Sequence, residues 1–127
     1  MTADESKALV ERFLAAWAER DIDALVEFFT DDAVYHNVPV APIHGIDGIR
    51  RIFASFLQAF DDVSLDIVNI VAEPELVCAE RVDRFVMGEQ RFELPVNGIF
   101  ELRNGRIARF SDYFDLTTFE QSSGLRL

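Results

Sequence analysis

The second half of the chain constrains the fold most, because it contains four long segments in which apolar and polar residues alternate. Turn-forming residues separate these segments, which span residues 63–72, 76–87, 90–102 and 106–114. A period of two is typical of strands that bury one face. Asn104-Gly105 is a two-residue turn of the kind that joins antiparallel strands, so we expect Arg103 to oppose Arg106. The pattern predicts a sheet of long, mainly antiparallel strands.

The first half of the chain has helical periodicity in three places. The first helix is predicted to begin at Asp4 or Ser6, the second to extend through Phe29, and the third to span residues 46–60. A strand over residues 33–38 precedes the third helix. Helices followed by long strands indicate an α+β fold, in which a curved sheet is closed at one side by the three helices around a cone-shaped apolar pocket. We expect residues 1–127 to form a single domain.

Composition and charge exclude several classes of function. The net charge of -11 argues against a nucleic-acid partner, and no apolar run approaches the ~20 residues that a membrane-spanning helix requires. The polar amino terminus does not resemble a signal peptide, and the single cysteine, Cys78, fits a reducing compartment. We therefore expect a cytoplasmic protein. The two histidines, His36 and His44, have no metal-ligand spacing with Asp47, so no metal site is predicted.

Charged residues stand in two of the predicted strands. Arg81 and Asp83 share one strand face, and Asp112 lies between Phe110 and Phe114 on the inward face of the last strand. Buried charges cost several kcal/mol unless they are paired, so this set either performs chemistry or fixes the core. Two nearby carboxylates tend to share one proton, and an arginine between them makes the set neutral. One aspartate could then accept a proton from water while the other donates a proton to a leaving oxygen.

The strand over residues 33–38 adds two uncharged polar groups. Tyr35 and Asn37 share one face, whereas His36 lies on the other and is interpreted as structural. If the first face looks into the pocket, the hydroxyl and the amide could hold an attacking water.

At these residues the chain closely resembles the limonene-1,2-epoxide hydrolases, within the SnoaL-like and nuclear-transport-factor-2-like (NTF2-like) proteins. The resemblance covers most of the chain and is strongest in Glu80-Arg81-Val82-Asp83, in Asp112-Tyr113-Phe114-Asp115-Leu116 with Phe119-Glu120, and in Tyr35-x-Asn37.

The resemblance implies a role for each catalytic position. Asp112 would activate water with the help of Tyr35 and Asn37, Asp83 would protonate the epoxide oxygen, and Arg81 would bridge the two aspartates. The implied reaction adds water to a small apolar epoxide in one step, giving a vicinal diol, with no cofactor and no covalent enzyme intermediate. We also expect a homodimer formed through the outer face of the sheet.

The resemblance further suggests apolar residues of the pocket wall, namely Phe85, Leu94, Val96, Phe114 and Phe119. A strict register from the Asn104-Gly105 turn sets Asp112 opposite Asn97 and turns Ile99 inward, which conflicts with an inward Leu94 and Val96. A β-bulge near Gly98 would reconcile the two.

Two other functions stay open at this point. A ketosteroid-isomerase-like or polyketide-cyclase-like enzyme would use a tyrosine and aspartates to move protons on a carbon acid. Arg81 argues against this alternative, since a cation beside an acid favours the ionised form, although the same objection applies to Asp83 unless the proton is shared. The second alternative is a binding module in which the charged residues only fix the core.

Overall fold

The computed structural model describes all 127 residues. In chain order the elements are α1 (Ala3–Ala16), a short 3-10 helix (Trp17–Glu19), α2 (Ile22–Glu27), β1 (Phe29–Asn37), β2 (Ile43–His44), α3 (Ile46–Ala59), β3 (Asp62–Glu73), β4 (Leu76–Met87), β5 (Gln90–Arg103), β6 (Arg106–Tyr113) and α4 (Leu116–Ser123). None of the helices is long and apolar enough to cross a membrane.

Helix α1 begins earlier than the sequence pattern predicted. Thr2, not Asp4 or Ser6, is the N-cap, because it forms a capping box in which its hydroxyl accepts from Glu5 N and the Glu5 carboxylate accepts from Thr2 N. Ser6 is buried instead, and its Oγ accepts a hydrogen bond of 3.1 Å from Glu75 N. This bond ties α1 to the turn between β3 and β4.

The predicted extent of the second helix was wrong. Asp21 caps α2, but the helix ends at Glu27 and Phe29 already belongs to β1. The reason is tertiary, because Phe29 pairs with Ile107 of β6 and Ile107 N donates to Phe28 O at 2.7 Å. Pairing with the sheet therefore overrides the helical spacing of the local sequence.

The six strands form one open sheet in the order β2-β1-β6-β5-β4-β3. Strand β1 runs parallel to β6, and every other neighbouring pair is antiparallel. The predicted turn is confirmed, since Arg103 opposes Arg106. The α+β architecture predicted from the sequence is therefore correct, with a mixed sheet whose two edges, β2 and β3, do not pair with each other.

The predicted register between β5 and β6 was wrong by one residue. Asp112 opposes Gly98 rather than Asn97, because Ala108 is an extra residue of β6 between the pairs Glu101–Arg109 and Leu102–Ile107. This β-bulge reverses the alternation beyond it. The outcome is an inward Gly98 and an exposed Asn97, and the bulge lies near the turn rather than at Gly98.

The core fills the space between the helices and the inner face of the sheet. Phe13 of α1 lies at its centre and packs against six aromatic rings with centroids 5.2 to 6.5 Å away, those of Trp17, Phe28, Phe29, Phe53, Phe100 and Phe110. Most of these contacts are edge-to-face, the geometry that aromatic quadrupoles prefer. Several of the twelve phenylalanines thus build a dense core that borders a cavity.

Candidate active site

A predominantly apolar cavity opens on the inner face of the sheet. Twelve of its sixteen lining residues are hydrophobic, and the other four are Asn37, Arg81, Asp83 and Asp112. A few polar groups converging in an apolar pocket is the usual composition of a small-molecule site.

The cavity wall contains every residue that the sequence nominated for the site. These are Tyr35, Asn37, Arg81, Asp83 and Asp112 as catalytic residues, and Phe85, Leu94, Val96, Phe114 and Phe119 as apolar wall. Their presence in one cavity is a finding about position, and their roles stay predictions. The inward direction of Leu94 and Val96 follows from their burial, 3% and 4% exposed.

The wall also contains residues that sequence reasoning did not nominate, among them Trp17, Phe56, Val63, Leu65 and Leu127. Trp17 and Phe56 lie on the apolar stripes of the first and third helical segments, so the sequence marked them as core residues. Helical spacing identifies the buried face but does not distinguish core from cavity wall. Nothing in the sequence pattern places Leu127 there.

Arg81 bridges the two aspartates through four hydrogen bonds. Its Nε and Nη2 donate to Asp83 Oδ1 and Oδ2 at 2.7 and 3.0 Å, and its Nη1 and Nη2 donate to Asp112 Oδ1 and Oδ2 at 2.8 and 2.7 Å. Both contacts are bidentate, the geometry that combines orientation with strong charge assistance. The guanidinium therefore holds the two carboxylates in fixed positions on either side of it.

The Arg81 side chain is only 1% exposed. Its Cζ lies 5.6 Å from the centroid of the Phe110 ring, within the distance of a cation–π contact. Burial opposes the charged form, but the negative charges of Asp112 and Asp83 outweigh it and raise the pKa of Arg81. The arginine is therefore always a cation in this cavity.

The pKa values of both carboxyl groups are raised, which favours their protonated forms. Burial raises the pKa of Asp83 to about 6 against the opposing effect of Arg81. Burial likewise raises the pKa of Asp112 above its ordinary value of 3.8. With both carboxylates ionised, the set of Arg81, Asp83 and Asp112 carries one net negative charge, and one added proton makes it neutral. The pair thus favours a state with one acid and one base.

Tyr35 and Asn37 reach the site because β1 runs parallel to β6. That pairing places Asn37 directly beside Asp112. The Tyr35 hydroxyl donates to Asn37 Oδ1 at 2.9 Å, which leaves the Asn37 NH2 group and the Tyr35 oxygen lone pairs for other partners. Burial and the charge of Asp112 raise the pKa of Tyr35 well above 10, so its hydroxyl stays protonated.

Residues on the other face of these strands do not reach the cavity. Glu80 and Arg84 are exposed on the outer face, and Arg84 pairs there with Asp66 at 2.7 Å and with Glu93. The His36 ring is 2.8 Å from Val40 O, which agrees with its structural interpretation.

A model of the SnoaL-like domain matches residues 10–110 of the chain. The chain belongs to the SnoaL-like domain family. This SnoaL-like chain is 34% identical over 110 residues to epoxide hydrolase EphG of Mycobacterium tuberculosis, an alignment that covers 84% of the chain and 71% of the relative. The family recognised from the catalytic segments is therefore confirmed.

Solved structures agree with the fold of this SnoaL-like chain. A LEH-like epoxide hydrolase of M. tuberculosis superposes with a TM-score of 0.83 at 30% identity, covering 95% of this chain and 90% of the other. A protein of Xanthomonas campestris pv. campestris, proposed to be a polyketide cyclase, superposes with a TM-score of 0.85 at 22% identity, covering 95% and 98%. The second similarity concerns the fold alone. The similarity to the M. tuberculosis structure also shows a relationship to an epoxide hydrolase.

The buried ion pairs of Arg81 lead to a prediction about stability. Arg81→Met would leave two buried carboxyl groups without a cation, so at pH 7 we expect a loss of about 3–5 kcal/mol in the free energy of unfolding. Arg81 lowers the pKa of both aspartates, so its removal raises the folded-state values further above those of the unfolded chain. The folded variant then binds more protons than the unfolded one. Its loss of stability relative to the wild type should therefore become smaller as the pH falls toward 4. Urea unfolding at several pH values measures this.

Arg84→Met is the matched control, because Arg84 lies on the same strand and makes ion pairs on the exposed face. Its replacement should cost far less than that of Arg81, because exposed ion pairs contribute little, and the loss should depend little on pH in this range. Equal losses for the two variants at pH 7 would contradict the interpretation of Arg81 as a buried charge bridge.

Proposed function

We propose that the protein is a limonene-1,2-epoxide-hydrolase-type enzyme that adds water to a small apolar epoxide in one step and releases a vicinal diol. The observation that carries this proposal is the doubly bidentate Arg81 between two buried aspartates in an apolar cavity. The relationship to an enzyme named as an epoxide hydrolase supports the same reaction.

The proton-sharing pair supplies an acid and a base in one arrangement. Asp112, ionised, takes a proton from water as the water oxygen forms a bond to an epoxide carbon. Asp83, protonated, gives its proton to the epoxide oxygen as the carbon–oxygen bond breaks. One water is consumed and the pair still holds one proton, so the reaction balances without a cofactor or a covalent intermediate. The proton returns from Asp112 to Asp83 before the next turnover.

Tyr35 and Asn37 orient the water in this mechanism. The Tyr35 hydroxyl donates its hydrogen to Asn37. The Tyr35 oxygen can therefore accept a hydrogen bond from one O–H of the water, while Asp112 accepts a hydrogen bond from the other. The Asn37 NH2 group can donate to one lone pair of the water oxygen. These three contacts leave a single lone pair for attack and so fix its direction.

Arg81 suits a reaction in which the charge moves from one aspartate to the other. It donates two hydrogen bonds to each carboxylate at similar distances of 2.7 to 3.0 Å. Whichever aspartate is ionised therefore has a cation already in place, and no reorganisation is needed as the proton transfers occur.

The rival reaction is proton transfer on a carbon acid. It draws support from the fold alone, which is shared with the proposed polyketide cyclase. A carboxylic acid that acts as a neutral donor in such enzymes stands in an apolar site, whereas both aspartates here contact a guanidinium. In the proposed hydrolysis Asp83 also contacts the guanidinium, but the proton that it shares with Asp112 keeps one aspartate protonated, so the pair offers a base to water and an acid to the epoxide oxygen at the same time.

The test of the proposal is hydrolysis of a panel of cyclic epoxides in oxygen-18 water under single-turnover conditions. We expect the label in the diol after the first turnover and none in the protein. Asp112→Asn should lower kcat by about 10²- to 10⁴-fold, the usual contribution of a general base, and should retain the fold because Arg81 and Asp83 remain a neutral pair.

Asp115→Asn is the matched control. Asp115 is exposed and caps α4, and asparagine caps helices as well as aspartate does, so this variant should keep full activity.

Label found in the protein would contradict direct attack by water. Conversion of a carbon acid by a chain that hydrolyses no epoxide would support the isomerase or cyclase alternative.

The shared proton also predicts the pH dependence of activity. Because burial holds the pKa of Asp83 at about 6, kcat/KM should fall as the pH rises through that value and the shared proton is lost. Tyr35→Phe should lower the rate but leave this alkaline limb in place, because the pKa of Tyr35 is above 10. Initial rates from pH 4 to 10 measure both. A limb that disappears in Tyr35→Phe would show that the tyrosine, not the aspartates, sets it.

We also propose a homodimer through the outer face of the sheet. Val71 and Tyr113 are 69% and 52% exposed on this face. Val71 pairs with Cys78 on the next strand and Cys78 pairs with Ile99 on the one after, so the three form a row of apolar side chains across the sheet. Sedimentation equilibrium should give a dimer for the wild type and a monomer for Val71→Glu combined with Tyr113→Glu. The control, Gln90→Glu at the start of β5, should stay dimeric. A wild-type monomer at all concentrations would refute the dimer.

The remaining expectations concern the setting of the protein. We propose that residues 1–127 work as one domain and that the protein acts in the cytoplasm. Support for the second proposal comes from the single cysteine, Cys78, which leaves no internal disulfide for an oxidising compartment to form.

A further inference from the structure

Gly98 lies in the middle of β5, where a glycine has no evident backbone role. It is not in a turn, and its φ angle is not in the left-handed region, unlike that of Gly45, Gly88, Gly105 and Gly124. A glycine inside a strand lowers stability, since it gains no packing and loses the most conformational freedom on folding. An interior glycine with ordinary backbone angles suggests that another group closely approaches its α-carbon.

The neighbouring strands identify that group. Gly98 opposes Ala79 of β4 on one side and Asp112 of β6 on the other. Arg81 belongs to β4, so its side chain must cross β5 to reach Asp112. Adjacent strands are about 4.8 Å apart, so the side chains of Arg81 and Asp112 together span two strand spacings, and the guanidinium lies over the inner surface of β5. Gly98 is the residue beneath this crossing.

A side chain at Gly98 would collide with the crossing itself. A Cβ atom there would lie 2.5 Å from Arg81 Nη1, 2.9 Å from Asp112 Oδ1 and 3.3 Å from Phe100 Cε1. The first two distances are shorter than a carbon atom tolerates, and they involve the two atoms that form the 2.8 Å hydrogen bond between Arg81 and Asp112.

The collision cannot be relieved by a free side-chain movement. Four hydrogen bonds hold the guanidinium, and the ring of Phe110 lies 5.6 Å away. The ring of Phe100 is stacked on Phe110 with centroids 4.3 Å apart. Making room for a methyl group therefore requires the Arg81–Asp112 contact to open.

We propose that Gly98 is a positioning residue of this site, whose missing side chain allows Arg81 to reach across β5 and bridge Asp112 to Asp83. In its catalytic form the inference rests on the proposed function, because Gly98 acts through Arg81 and touches no reacting atom. Its structural form, a coupling between positions 98 and 81, does not depend on which reaction the site performs.

Gly98→Ala tests the catalytic form. A displacement of about 1 Å in a catalytic group can cost about 10²-fold in rate, so we expect a fall of that order in kcat with a smaller change in KM. Arg81 lowers the pKa of Asp112, so opening their contact should raise that pKa and move the whole pH profile to higher pH. A merely structural defect would lower the amount of active enzyme without moving the profile.

Gly48→Ala is the matched control. A Cβ atom at Gly48 would lie 2.8 Å from Ile43 Cγ2, so this variant introduces a comparable collision with a side chain outside the charged set. We expect its pH profile to be that of the wild type. An unchanged kcat and pH profile in Gly98→Ala, with epoxide hydrolysis intact in the wild type, would overturn the inference and leave the proposed function standing.

A double-mutant cycle tests the structural form even where no substrate is turned over. Urea unfolding at pH 5 compares the effect of Gly98→Ala in the wild type with its effect in Arg81→Met, which has no guanidinium to collide with. We expect a clear loss of stability in the first background and a smaller loss in the second, where only Asp112 and Phe100 still lie near the added methyl group. Equal losses in both backgrounds would overturn the inference. If Gly98→Ala alone does not fold while the double variant does, the coupling is supported.

Discussion

The cation of Arg81 must be neutralised inside an apolar cavity, and the arrangement of three strands follows from that requirement. Strand β4 supplies Arg81 with Asp83 two residues along on the same face. Strand β6 supplies Asp112 from the far side of β5. The bridge therefore needs a register in which Asp112 lies level with Gly98, and the bulge at Ala108 provides it. A one-residue slip would turn Asp112 to the outer face.

Local sequence was sufficient to predict much of this arrangement. The long strands were recognisable because a half-buried sheet imposes a period of two, and the same period placed Arg81 and Asp83 on one face. The Asn104-Gly105 turn anchored β5 against β6 at one end. Alternation also placed Tyr35 and Asn37 on one face of their strand, and both residues line the cavity with the charged set. The apolar wall was suggested by the family resemblance instead, and the strict register from the turn conflicted with two of its residues, Leu94 and Val96.

The features that the sequence could not provide depend on contacts between distant segments. The start of β1 at Phe29 depends on its pairing with Ile107, which overrides helical spacing. The bulge at Ala108 has no local signal, since alanine is equally compatible with a regular strand. Gly98 did carry a signal, but an interior glycine indicates either a bulge or a close approach, and only the position of Arg81 distinguishes the two. Leu127 reaches the wall through tertiary packing alone.

Stability does not account for the charged set. A buried ion pair is often no more stabilising than apolar side chains of the same volume, because desolvation offsets the attraction. Here the balance is less favourable still, since two buried carboxylates face a single cation and burial raises the pKa of both Asp83 and Asp112. The folded chain binds more protons than the unfolded chain between the ordinary aspartyl pKa of 3.8 and about 6, so these groups lower stability as the pH rises through that range. A glycine within β5 adds a further cost. An arrangement that reduces stability in two separate ways is better explained by the reaction it can perform than by the fold it holds together.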